Sequence, residues 1–215
     1  MQIPNRYCYN KVARGVIKMC GRYGLTATND NLYKRYHMTP EKEYESDILE
    51  EIFPTTENPI LLPNNHFYNI KWGFTPEFAK RPLINARAET ILEKPTFSVP
   101  FQKKRCIIPA TYFFEWQKVE GQNQKDKKKI VVKDLPIFSM AGICERYNDD
   151  QGNSHLTYAI ITTDANPQMA EIHDRMPVII EPKDEKDYLD LNKNPQALLE
   201  LLKPTERELI INSAT

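Results

Sequence analysis

The sequence predicts a mixed α+β protein built on a curved or barrel-like, mainly antiparallel β-sheet core with peripheral helices. Three observations carry this. The middle of the chain is dense in β-branched and aromatic residues, in "RCIIPATYFFEWQKV", "IVVKDLPIFSMAGICERY" and "LTYAIITT", which suit a pleated, half-buried surface. Turn-forming clusters such as Pro63-Asn64-Asn65 and "NDDQGNS" punctuate these runs at hairpin spacing. Helical patterns are short and fall outside them, as expected where helices cover the edges of a sheet.

In chain order, Asn29 or Asp30 is the expected N-cap of a short helix near 30–38, with Leu32 and Tyr36 on one face. The stretch 40–51 is acidic and poorly periodic. "IFPTTENPILL" and "FYNIKWGF" read as strand, turn and strand, with Pro54, Pro59 and Pro63 as punctuation. The polar run 120–129 reads as an exposed connection whose lysines are solvated, and "MPVII" as another short strand. Asn166 and Pro167 suit the N-cap and first position of a helix ending near His173, and "PKDEKDYLDL" and "NPQALLELL" suit two terminal helices.

At 215 residues the chain is long enough for one core, and 19–215 reads as a single domain. The preceding eighteen residues, "MQIPNRYCYNKVARGVIK", carry Arg6, Lys11, Arg14 and Lys18 and no acid. They read as a leader, a basic arm or an upstream start assigned in error. With 29 basic and 29 acidic side chains the formal charge is zero, so a nucleic-acid site has to be a local basic patch. The four cysteines, at 8, 20, 106 and 144, form no CxxC pair and have no His at zinc-finger spacing, so no metal, cofactor or disulfide framework is expected. No apolar run approaches the ~20 residues that span a bilayer. A soluble, cytoplasmic monomer is the expectation. P-loop, GxGxxG, HExxH and GxSxG motifs are all missing from the sequence.

What remains is a set of separated polar residues. Cys20 follows Met19; if it becomes the first residue, it presents an α-amine and a thiol on adjacent carbons. Such an aminothiol captures an aldehyde as an imine and closes on it to a thiazolidine. An α-amine with a reference pKa near ~7.7–8.0 is partly neutral at pH 7 and suits that task. Glu115, flanked by Phe113, Phe114 and Trp116, becomes a general acid or base if its strand turns it inward, and a solvated carboxylate if it turns outward. His173, between a short helix and Asp174-Arg175, suits either a proton-handling role or a cap. Asn85 sits among the small residues Ala86 and Ala88, where a substrate or another backbone can approach closely. Arg22, Arg87 and Arg175, with Trp72 and Trp116, offer phosphate forks and stacking faces for single-stranded nucleic acid, or surface and core residues.

Together "MCGRY", "INARAET", "RCIIPATYFFEW" and "IHDRMPVII" resemble, in order, the motifs of the SOS response-associated peptidase family of abasic-site processing proteins. The resemblance runs from Cys20 to about Leu202. It implies a sensor and shield for abasic sites in single-stranded DNA, acting in the DNA damage response, that crosslinks covalently through an N-terminal Cys20; the Lys, Asn and Ile usage is compatible with an AT-rich bacterial or phage genome. By the same resemblance, Asn85 orients the amine, Glu115 shuttles protons, and His173 serves the sugar oxygen. Arg22, Arg87 and Arg175 would grip phosphates and Trp72 would pack against the kinked strand. The family name implies a peptidase as well, with removal of the residues before Cys20 as its cleanest use. "FPTTENPI" departs from the Tyr-Asn and nearby Pro of many members, and the tail "LIINSAT" ends short of the segment relatives carry. Two other classes of function remain open on the residues: a thiol peptidase using Cys20 with His173, and a non-covalent single-strand binding module.

Overall fold

The computed structural model describes residues 21–39, 48–119, 121, 124–149 and 151–214. Cys20 and the expected leader lie outside them. The strands are β1 (Arg22–Leu25), β2 (Leu49–Ile52), β3 (Glu57–Leu61), β4 (Phe67–Trp72), β5 (Asn85–Arg87), β6 (Arg105–Ala110), β7 (Tyr112–Lys118), β8 (Lys125–Val132), β9 (Phe138–Asn148), β10 (Ser154–Asp164), β11 (Arg175–Pro177), β12 (Ile179–Ile180) and β13 (Leu209–Ser213). The helices are α1 (Asn29–Arg35), α2 (Pro95–Lys103), α3 (Pro167–Ala170), α4 (Glu185–Leu189) and α5 (Pro195–Leu198).

The strands form two sheets. In one, β10, β4, β3, β6 and β9 follow one another, and β9 pairs back onto β10, which closes a five-stranded barrel. The other has the order β13-β8-β7-β1-β2. Among the described residues, pairing is antiparallel except where β10 meets β4 and β5 in parallel. The expected barrel-like α+β architecture is therefore present. Tyr23 of β1 meets Trp72 of β4 edge to face at 5.3 Å, and Phe113 of β7 meets Phe138 of β9 at 6.4 Å. The core lies between the sheets as well as inside the barrel. Gly142 is required there, because a Cβ would come within 2.4 Å of Ile108 Cδ1 and 2.8 Å of Cys106 Sγ.

Several elements differ from the sequence expectation. Thr28, not Asn29 or Asp30, caps α1: its Oγ1 accepts from the Asn31 N–H while Asn31 Oδ1 accepts from the Thr28 N–H, a reciprocal box closed by Asn. The lysine run is strand, not loop. Lys127 and Lys129 stand on one face of β8, with their ammonium groups 4.2 Å over the Phe114 ring and 3.6 Å over the Tyr112 ring, so cation–π contacts offset the desolvation of the half-buried stems. The helix expected to reach His173 stops at Ala170, although Asn166 does cap it, by accepting from the Met169 N–H.

Helix α2 has no counterpart in the sequence expectation; it contains Pro100 and forms by burying Phe97 and Phe101 one turn apart. Arg105 finishes it. This fully buried guanidinium donates to the carbonyls of Phe101 and Gln102 at the end of α2 and of Tyr188 and Asp190 at the end of α4, placing a cation where two helix C-termini leave carbonyls unsatisfied.

Candidate covalent and nucleic-acid site

The candidate site is traced from the N-terminal end of β1. Arg22, Tyr23 and Gly24 pair antiparallel with Phe114, Phe113 and Tyr112 of β7. Continued by one residue, that register sets the buried Gly21 opposite Glu115. Cys20 precedes Gly21 in the sequence and lies outside the described residues.

Glu115 is 3% exposed. Strand alternation explains this: Phe113 and Glu115 share the inward face of β7, while Tyr112 and Phe114 face outward beneath Lys129 and Lys127. The inward reading of Glu115 is thus the one the fold adopts, with Lys128 of β8 as its cross-strand neighbour. Gln117, next on the same face, donates its side-chain amide to the Glu171 carbonyl at 2.9 Å. That bond ties β7 to the turn carrying His173.

Two contacts converge on His173 Nδ1: the Arg175 N–H at 3.2 Å and Asp174 Oδ1 at 2.8 Å. They suit two protonation states of one nitrogen. A bare Nδ1 accepts from Arg175 and leaves the ring proton on Nε2, whereas a protonated Nδ1 donates to Asp174. Either way the ring is held by its own turn.

Asn85 begins β5, opposite Ile160 of β10. The carbonyl just before it, that of Ile84, accepts from both the Trp72 indole N–H and the Ile160 N–H, each at 3.0 Å. This corrects the expectation for Trp72. Its side chain is completely buried, stacked on Tyr158 at 6.0 Å, and cannot face a DNA strand; it anchors the segment that presents Asn85.

Arg175 also departs from expectation. Its guanidinium binds both Glu89 carboxylate oxygens at 2.7 Å, Asp164 Oδ1, and the Thr162 carbonyl at 2.8 Å. With 7% exposure and those acceptors in place, it is not a free phosphate fork. It is a clamp between the turn that follows Asn85-Ala86-Arg87 and the turn that holds His173. Burial alone would raise the Glu89 carboxyl, but hydrogen bonds from Arg175 outweigh that and hold it below the ordinary carboxylate value.

The other two arginines are less enclosed, Arg22 half-buried and Arg87 open to solvent. Arg22 lies 4.0 Å over the Phe53 ring with Glu51 at 3.5 Å. Arg87 is exposed and has no carboxylate within ion-pair distance among the described residues. Glu89 and Gln117, which fasten the parts together, gave no sequence signal: their partners lie 86 and 54 residues away.

The sequence profile described as "SOS response associated peptidase (SRAP)" matches residues 19–213. The chain belongs to this family. The match includes Cys20, Asn85, Glu115 and His173. Among relatives, the abasic site processing protein YoqW of Bacillus subtilis (strain 168) is 37% identical over 202 residues, covering 88% of this chain and 89% of YoqW. The abasic site processing protein HMCES of Pongo abelii is 30% identical over 200 residues, 71% of this chain and 56% of that protein. An X-ray structure of a Bacteroides thetaiotaomicron protein superposes with a TM-score of 0.81 at 32% identity, covering 91% of this chain and 92% of that one.

Proposed function

We propose that the protein captures abasic sites in single-stranded DNA by a covalent bond to Cys20, once the residues before it are removed. The observation that carries this is the β1–β7 register, which, continued by one residue, sets Gly21, the residue after Cys20, opposite the buried carboxylate of Glu115. The relatives' names supply the abasic site; the residues supply the chemistry. The ring-opened deoxyribose bears an aldehyde. The Cys20 α-amine adds to it and water leaves, giving an imine. The thiol sulfur then bonds to the imine carbon, and its proton passes to the nitrogen, so the adduct weighs protein plus DNA less one water.

Glu115 donates the proton that the departing hydroxyl needs and can take one back when the ring reopens. Asn85 orients the amine, and His173 serves the sugar oxygen as the ring opens. Of the three arginines expected at phosphates, Arg22 and Arg87 hold those next to the lesion. In this reading the protein acts as a cytoplasmic monomer, and no helix among the described residues is long and apolar enough to cross a membrane.

The test is a set of proteins mixed with single-stranded DNA carrying one abasic site and separated on a denaturing gel. A chain beginning at Cys20 gives an adduct; Cys20→Ala, and a chain whose amine stays blocked by Met19, give none. An adduct that survives either change refutes the aminothiol mechanism. The family's peptidase name motivates a second reading, in which the leader is removed by Cys20 itself. Leader loss from the purified long chain, abolished by Cys20→Ala, supports it, and loss only on adding an aminopeptidase rejects it.

A further inference from the structure

The outer face of the five-stranded sheet carries a line of cations leading away from the site. Arg22 of β1 lies beside Gly21 and donates to its carbonyl. Lys127 and Lys129 follow on β8, two residues apart on the same face. Arg22 and Lys127 share Glu51 as a counter-ion, whereas Lys129 has no carboxylate within ion-pair distance among the described residues. The line ends in a groove of about 900 Å³ between this face and α1.

The groove is chemically one-sided. Lys34, His37 and Lys129 line it with Arg35, over an apolar floor that includes Val131 and Ile137, and no Asp or Glu among the described residues faces it. Arg35 is neutralised by Glu185, which it binds through both terminal nitrogens. Lys34, exposed, has no such partner among the described residues. In a chain with no net charge, a concavity with cations and no carboxylate selects an anion, and its apolar floor suits a flat or apolar group attached to that anion.

Thr26, just past β1, lines the groove five residues from Gly21, about 17 Å along an extended strand. A single strand of nucleic acid bridges that distance with a few nucleotides. We propose that the groove holds the phosphate backbone of the same DNA strand at that remove, with Lys34 and Lys129 on phosphates and bases over Val131 and Ile137. This rests on the single-stranded DNA reading above and extends it to a second contact region.

The experiment measures equilibrium binding of unmodified single strands, of about six and about twenty nucleotides, by fluorescence anisotropy across a salt series. It uses the full chain, its Lys34→Gln variant and the Lys34→Gln/Lys129→Gln variant. Each phosphate contact contributes about 0.7 to the slope of log K against log salt. The double variant is expected to lose about 1.4 of the slope for the longer strand, roughly 25-fold in affinity at ~0.1 M salt, and Lys34→Gln about half of it. Binding of the short strand should not change, nor should adduct formation by the same variants begun at Cys20 on a short strand that carries one abasic site. Lys34 is exposed on α1, so its single variant answers the question even if Lys129→Gln disturbs the sheet. Equal slopes for wild type and both variants overturn the groove while leaving the covalent site intact. No affinity of the wild type for either strand overturns both.

Discussion

Replacing Glu89 by Gln tests whether the clamp between the Asn85 and His173 segments contributes stability. The wild-type carboxylate takes two hydrogen bonds of 2.7 Å from Arg175; the amide keeps one acceptor and no charge. A buried charge-assisted pair would contribute ~1.5–3 kcal/mol per bond. The Glu89 side chain is 42% exposed, so water screens the pair and hydrates the released carboxylate, and about 1 kcal/mol is the expected loss. For a chain of this size that lowers Tm by about 2–4 °C. The effect depends on pH with a definite sign. Arg175 holds the Glu89 carboxyl below its ordinary value, so the unfolded chain binds the proton more readily. The contribution is therefore complete above the unfolded carboxylate value of ~4.3 and is lost as pH falls through the lower folded value. Urea unfolding of both proteins at neutral pH and near pH 3 reads this directly. Equal midpoints at neutral pH, or a gap that persists undiminished in acid, would refute the reasoning.

Other perturbations separate scaffold from site. Arg105→Met removes the donor shared by four carbonyls at the ends of α2 and α4 and should cost about 3 kcal/mol in denaturant unfolding; a loss below about 1 kcal/mol would show those carbonyls finding water instead. Thr55 is a β-branched, exposed residue at φ 73°, so Thr55→Asn should stabilise by about 1 kcal/mol, and an unchanged or lower Tm argues against strain there. Trp72→Phe should lower stability by about 2 kcal/mol through its lost bond to Ile84 and its smaller ring. Its non-covalent affinity for single-stranded DNA should be unchanged, and weaker binding with undiminished stability would restore the direct DNA contact.

Much of the scaffold was legible in the sequence because its signals are local. Turn residues at 63–65 and 148–154 mark hairpins, and alternating aromatic and branched residues mark β7, β9 and β10. Asn166 and Pro167 announced α3 for the same reason. The readings that failed depend on distant partners. Lys127 and Lys129 look solvated until Phe114 and Tyr112 are set beneath them across the β7–β8 pair. Helix α2 carries Pro100 inside it and forms by sending Phe97 and Phe101 into the core, which no local pattern announces. At the site, the pattern could not choose a face for Glu115, and the fold chose inward. Trp72 and Arg175 carry side chains suited to DNA, yet the first is enclosed by Tyr23 and Tyr158 and the second by Glu89 and Asp164. Residue type states what a side chain can bind; the neighbours supplied by other strands determine whether it is free to do so.

The central claim is that the amine and the thiol of Cys20 both bond to the same sugar carbon. Intact-mass and peptide mapping of the DNA adduct, formed with and without borohydride, tests it most directly. The account predicts an adduct on the Cys20 peptide, lighter than protein plus DNA by one water, that borohydride does not reduce and that leaves no free thiol at Cys20. A borohydride-reducible imine with its thiol still free, or attachment at any other residue, would contradict it.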